Sequence, residues 1–177
     1  NNRIKIFTRI RRSFLSLIIG WLTLGATSGA YAAVSPLLKT SWGQGGLYQT
    51  ETPVRNGEPT YPGCTTVASA QILYYYQYQN TGGQEVYYSL DNKGLTHQDI
   101  SNDTLYLDLT QQSYDFSAMA HDLEVASQSQ VKATAQFLYH VGASLHAQFG
   151  NGEGSSATGK QIENGFRYTW GFNNISR

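Results

Sequence analysis

The sharpest constraint in this sequence is a change of character at Cys64. Residues 47–63 carry Pro53, Gly57, Pro59, Pro62 and Gly63, which leave no room for a long helix or strand. From Thr65 to Tyr78 neither Gly nor Pro occurs, and Val67, Ala68, Ala70, Ile72, Leu73 and Tyr76 recur with helical period. The spacing therefore predicts a largely buried helix, with Gly63-Cys64-Thr65-Thr66 at its N-terminal cap. A thiol at that position meets unpaired backbone N–H groups and the positive end of the helix dipole, both of which favour the nucleophilic thiolate.

Cys64 is the chain's single cysteine, so it cannot belong to an internal disulfide. An inert buried thiol, an intermolecular bridge and a reactive thiol all remain open on composition alone. The N-terminus bears on the compartment. Arg3, Lys5, Arg9, Arg11 and Arg12 form a basic region, Phe14 to Leu24 an apolar one, and Ala30-Tyr31-Ala32 a small-x-small cleavage pattern. We expect a signal peptide over residues 1–32, cut after Ala32, and a secreted product from 33 to 177. The apolar run is far shorter than the roughly 20 residues that span a bilayer, so no stable membrane anchor is expected.

Twelve Lys and Arg balance twelve Asp and Glu, and no basic stripe occurs beyond the first dozen residues, so a nucleic-acid partner is not expected. Eighteen Gly, thirteen Tyr and only 14% charged residues suit a loop-rich globular domain. Short β-like pieces appear at Val86–Leu90 and Leu105–Leu109. A short helix is expected from Ser117 to Val125, and a stronger one from about Ser129 to Val141, with Gly142 as its stop. A last helix, about Ala157 to Arg167, would bury Ile162 and Phe166. Zinc patterns of paired cysteines, phosphate-cradling Gly-Lys-Ser/Thr loops and Gly-x-Ser-x-Gly elbows are absent, and no cofactor is expected.

Acyl transfer needs donors for an oxyanion. Gln44, on the glycine-flanked loop Trp42-Gly43-Gln44-Gly45-Gly46, is a candidate if that loop folds back on the helix start beside the Cys64 N–H. These pieces together resemble the streptopain family of papain-like cysteine peptidases. Leu37-Leu38-Lys39-Thr40-Ser41-Trp42-Gly43-Gln44-Gly45-Gly46-Leu47-Tyr48 is similar to the start of the mature enzymes. Gly63-Cys64-Thr65-Thr66-Val67-Ala68-Ser69-Ala70-Gln71-Ile72-Leu73 resembles their nucleophile helix. Tyr114-Asp115-Phe116, Val141-Gly142-Ala143-Ser144, Phe149-Gly150 and Gly154-Ser155-Ser156 follow in order, so the likeness runs from about Val34 to Phe172.

The resemblance implies an α+β, papain-like fold whose helical half is present, with the β half that carries the catalytic His truncated. It implies Cys64 as nucleophile and Gln44 as oxyanion donor. It also implies that Gly154, Ser155 and Ser156 border the cleft for a protein or peptide substrate. The family's base lies in a Gly-Gly-His-type strand, which we do not find before Arg177. His97, His121, His140 and His146 are expected to be structural or solvated. The C-terminal half would then supply the base. No pro-region separates the expected cleavage point from Val34, so latency would come from a separate inhibitor or from incompleteness itself. The competing reading is an inactive secreted binding protein that retains half of a peptidase fold.

Overall fold

The computed structural model describes residues 35–79, 83–151 and 155–172. The expected signal peptide and Gly154 lie outside them. The described residues from Leu37 onward form one compact unit built on two helices and a small sheet.

Helix α1 spans Cys64–Tyr75, starting on the thiol-bearing residue itself. Its N-cap, Gly63, has φ 92° and ψ 146° and no side chain to cap with. The first turn closes instead through Val67 N–H to the Gly63 carbonyl at 3.0 Å. Thr66, Val67, Ser69, Ala70 and Leu73 face the core. Ala68, Ile72 and Tyr76, which the helical period groups with the core, are exposed instead. The reason is that α1 is apolar on every side, and periodicity alone does not say which side meets the rest of the chain.

Helix α2, Gln128–Ser144, begins with a capping box in which Ser127 and Gln130 exchange side-chain and backbone bonds. It runs straight through Gly142, the expected stop. A Cβ there would meet Phe149 Cζ at 3.1 Å and Thr66 Cγ2 at 3.3 Å, so this glycine lets α1 pack close to α2. The helix ends two residues later at Ser144, with His146 taking the left-handed conformation at φ 51°. Ala147 N–H reaches Gly142 O at 3.0 Å and His146 N–H reaches Ala143 O at 2.8 Å, the two bonds of a Schellman end.

Short strands β1 (Val54–Arg55) and β2 (Glu58–Pro59) form a hairpin ahead of α1. Strands β3 (Glu85–Ser89), β4 (Ile100–Ser101) and β5 (Thr104–Asp108) make an antiparallel sheet in the order β3-β5-β4. The main pair lies within one residue of the β-like pieces read from the sequence. Val86, Tyr88, Leu105 and Leu107 alternate inward and pack with Tyr139, Ala143, Ala147 and Phe149. On the opposite side, α1 and α2 enclose Trp42, Tyr114, Phe116, Phe137 and Trp170.

One expected helix is cut short and another changes pitch midway. Only Phe116–Ala118 forms a 3-10 turn, capped by the Asp115 carboxylate. Beyond it, Ala120 O accepts from Trp42 Nε1 at 2.7 Å and Ala120 N–H donates to Thr134 Oγ1 at 3.2 Å. Tertiary partners thus occupy the groups a helix would have paired. Near the end, α3 covers only Gly159–Asn164 and passes into a π turn over Gly165–Thr169. A Cβ on Gly165 would lie 2.6 Å from Leu145 Cδ2 and 2.8 Å from Ser144 O, so the chain widens where it crosses the end of α2. Ile162 and Phe166 are partly buried there.

Candidate active site

The approach to Cys64 is braced from two directions. On the hairpin side, Thr52 Oγ1 donates to Thr60 O at 2.5 Å and Thr60 Oγ1 donates to Pro53 O at 2.8 Å. On the other, Tyr61 N–H donates to Gly150 O at 3.1 Å, and Ser155 Oγ donates to Tyr61 O while accepting Gly150 N–H at 3.0 Å. Gly63 then presses on the Ser155 backbone, whose carbonyl carbon would stand 3.0 Å from a Cβ at that position. The chain is clamped over the residues that lead into the helix, and Cys64 emerges exposed on its first turn. The sulfur-bearing residue keeps its exposure, and first-turn N–H groups with no intrahelical partner lie beside it.

Gln44 is also exposed, two residues beyond Trp42. Trp42 is buried, with its ring 5.0 Å from Tyr74 and 6.3 Å from Phe137, and it anchors the loop. A Cβ on Gly45 would rest 3.7 Å from Tyr61 Cε1, so the Gln44 loop lies against the aromatic side chain three residues before Cys64. The structure therefore joins Tyr61, Gly63 and Ser155 by direct contact next to Cys64 in the chain, and brings the Gln44 loop to the same segment through Tyr61. Ser156 is exposed and pairs through its carbonyl with Gln148 N–H at 2.9 Å. Tyr61 and Trp42 were not among the residues expected here. Trp42 had a signal, a large ring beside three glycines in the span 43–46, but Tyr61 had none.

The four histidines are engaged elsewhere. His140 is buried in α2, its Nδ1 3.0 Å from the Tyr114 hydroxyl. His97 Nδ1 sits 3.2 Å from Asp99 Oδ2, and its ring lies against Tyr139. His146 stacks flat on Tyr88 at 4.6 Å. His121, expected on a short helix, lies in a loop with its ring edge-on to Tyr74. Among the described residues no cluster of His, Cys, Asp or Glu is arranged to hold a metal ion.

Burial lowers the pKa of His140 to about 4, against a small opposing pull from Asp99. The folded protein thus resists a proton that the unfolded chain accepts below about pH 6.5. Stability is full above that pH and is lost as the pH falls toward 4, by an amount on the order of 3 kcal/mol. Asp99 works at lower pH. Burial opposes its ionisation, but bonds from His97 and Tyr139 prevail and hold it below the usual carboxylate range, so its contribution is lost only as pH falls through that lower range. Urea unfolding at pH 7 and pH 4.5 checks the first effect. We expect a clear loss of stability between them in the wild type and a much smaller one in His140→Gln, whose own stability at pH 7 is lower.

The chain is a mixed α+β domain that presents an exposed lone cysteine on the first turn of an apolar helix. Residues 42–177 match the model of the Peptidase C10 family, and the chain belongs to that family. It is similar to active wild-type interpain A, a cysteine protease of Prevotella intermedia, with TM-score 0.65 and 27% identity. That match covers 78% of this chain and 55% of the other. A prointerpain A fragment from the same organism, carrying a cysteine-to-alanine mutation, gives TM-score 0.66 and 26% identity over 78% of this chain and 43% of the other. No curated protein matches. The chain spans about half the length of these structures, and its mixed helix-and-sheet fold is similar to part of a papain-like protease.

Proposed function

We propose that this chain is the nucleophile-bearing part of a secreted cysteine endopeptidase. The observation that carries the reading is the exposure of Cys64 at the first residue of a helix whose other flank is core, on a segment clamped by Ser155 and Gly150. In this mechanism the Cys64 thiolate attacks a peptide carbonyl carbon, forming the C–S bond. The Cys64 backbone N–H and the Gln44 side-chain amide donate to the oxyanion. The C–N bond breaks as a histidine protonates the leaving amine, and water then hydrolyses the thioester and restores the thiol. The backbone around Gly154–Ser156 pairs with the extended substrate.

The histidine is supplied by a C-terminal half. In support, His97, His140 and His146 are held by other partners, the exposed His121 ring lies against Tyr74, ten residues along from Cys64, and the outer face of α1 is ready for a covering partner. Ala68, Ile72, Tyr75 and Tyr76 stand in line with Cys64 along that face, and Ile72, Tyr75 and Tyr76 keep 43%, 43% and 66% of their surface exposed. An apolar stripe of this size favours association, so residues 33–177 expressed alone are expected to self-associate. Sedimentation checks this, and a monodisperse monomer would count against a missing cover. Export rests on the N-terminal pattern, cut after Ala32, and a separate inhibitor would hold the secreted enzyme latent. Among the described residues no helix is long and apolar enough to cross a membrane.

The test is hydrolysis of quenched fluorescent peptides by the complete gene product, with and without one equivalent of a thiol reagent. Cleavage that the reagent abolishes is expected. A folded product whose Cys64 reacts with the reagent but which cleaves nothing would instead establish the inactive binding protein.

A further inference from the structure

We infer that the Ser155 side chain positions Cys64, acting through the backbone of residues 61–63, while its hydroxyl makes no contact with substrate. The inference rests on the peptidase reading. Ser155 is 7% exposed, and both hydrogen-bonding roles of its hydroxyl are taken. The O–H donates to Tyr61 O, and the oxygen accepts Gly150 N–H at 3.0 Å, which leaves no proton for a substrate carbonyl.

Its backbone does a second job. The space that a Cβ on Gly63 would fill is occupied by the Ser155 carbonyl, with the carbonyl carbon at 3.0 Å and Ser155 Cβ at 3.1 Å. One residue thus grips the chain at both Tyr61 and Gly63, on either side of Pro62. Gly63 is the N-cap of α1, so its orientation sets the direction of the Cys64 N–H and of the thiol-bearing Cα–Cβ bond. Displacements of about 1 Å in a reacting group cost on the order of a hundredfold in rate.

The experiment is steady-state kinetics of the complete gene product with Ser155→Ala and Ser155→Thr, beside Cys64→Ala. For Ser155→Ala we expect kcat to fall by about 10- to 100-fold with KM within about twofold. Ser155→Thr keeps the hydroxyl and is expected to recover most of kcat, again at unchanged KM. A raised KM at unchanged kcat in either variant would make Ser155 a substrate contact and overturn the inference. So would wild-type kcat in Ser155→Ala, or failure of Thr to outperform Ala. If Ser155→Ala does not fold, the Thr variant alone decides, because added bulk at a substrate contact raises KM. Should Cys64→Ala remain active, the peptidase reading itself fails. Should Cys64→Ala be dead while Ser155→Ala is normal, only the positioning role fails.

Discussion

Cys64→Ala is expected to lower peptide hydrolysis by the complete gene product about a thousandfold or more, while leaving its stability within about 0.5 kcal/mol of wild type. The two halves of this expectation have separate causes. Cys64 is exposed, so deleting its sulfur opens no cavity and strands no buried group. Alanine is also the best residue for a helix interior, so α1 is not weakened. The rate falls because, among the described residues, no other thiol stands near the start of α1 to form an acyl intermediate at neutral pH. Thr65 is adjacent, but a hydroxyl without an aligned base is a poor nucleophile. Peptide kinetics together with urea unfolding of both proteins check this. Comparable losses of activity and stability would mean that Cys64 is a packing residue.

The second large effect falls on its neighbour. Gly63→Ala is expected to destabilise the protein by about 4 kcal/mol, the sum of two penalties of comparable size. A φ of 92° is unfavourable for any residue with a Cβ, at about 1–3 kcal/mol. The new methyl also meets the Ser155 carbonyl, and such backbone overpacking adds about 1–3 kcal/mol. Gly57 separates the terms, since its φ is 84° but nothing lies within 4 Å of its open side. Gly57→Ala should therefore show the conformational cost alone, at about 1–2 kcal/mol. Chemical denaturation of the two variants gives the comparison. Equal losses would mean that Ser155 does not press on the start of α1.

How much of this was legible in the sequence depended on whether the deciding physics was local. The start of α1 was legible because Pro62 and Gly63 end one regime and a Gly- and Pro-free apolar run begins another. Strands β3 and β5 were legible because one face is buried and the other wet, so their side chains alternate. The exposed face of α1 was not, because a helix apolar all round carries no directional signal. Gly142 misled for a related reason. Glycine serves both as a helix stop and as a point of close approach, and only the positions of Phe149 and Thr66 distinguish the two. The helix expected over 117–125 gave way to Trp42 and Thr134, which lie 78 and 14 residues from their shared target, Ala120. Around the candidate site, the placement of the lone cysteine at a helix start was legible, and the glycine-flanked loop of Gln44 was visible as a loop. The grip of Ser155 on Tyr61, 94 residues away in sequence, was not legible, because only folding brings them together.

The most direct measurement is mass spectrometry of the complete gene product, acid-quenched after mixing with an activated ester of a blocked amino acid. The account predicts one acyl group, located on the peptide that contains Cys64, formed in the native protein and lost in urea. A native protein that turns over the ester with the acyl group on another residue would contradict it, as would a sulfur that is acylated only after unfolding.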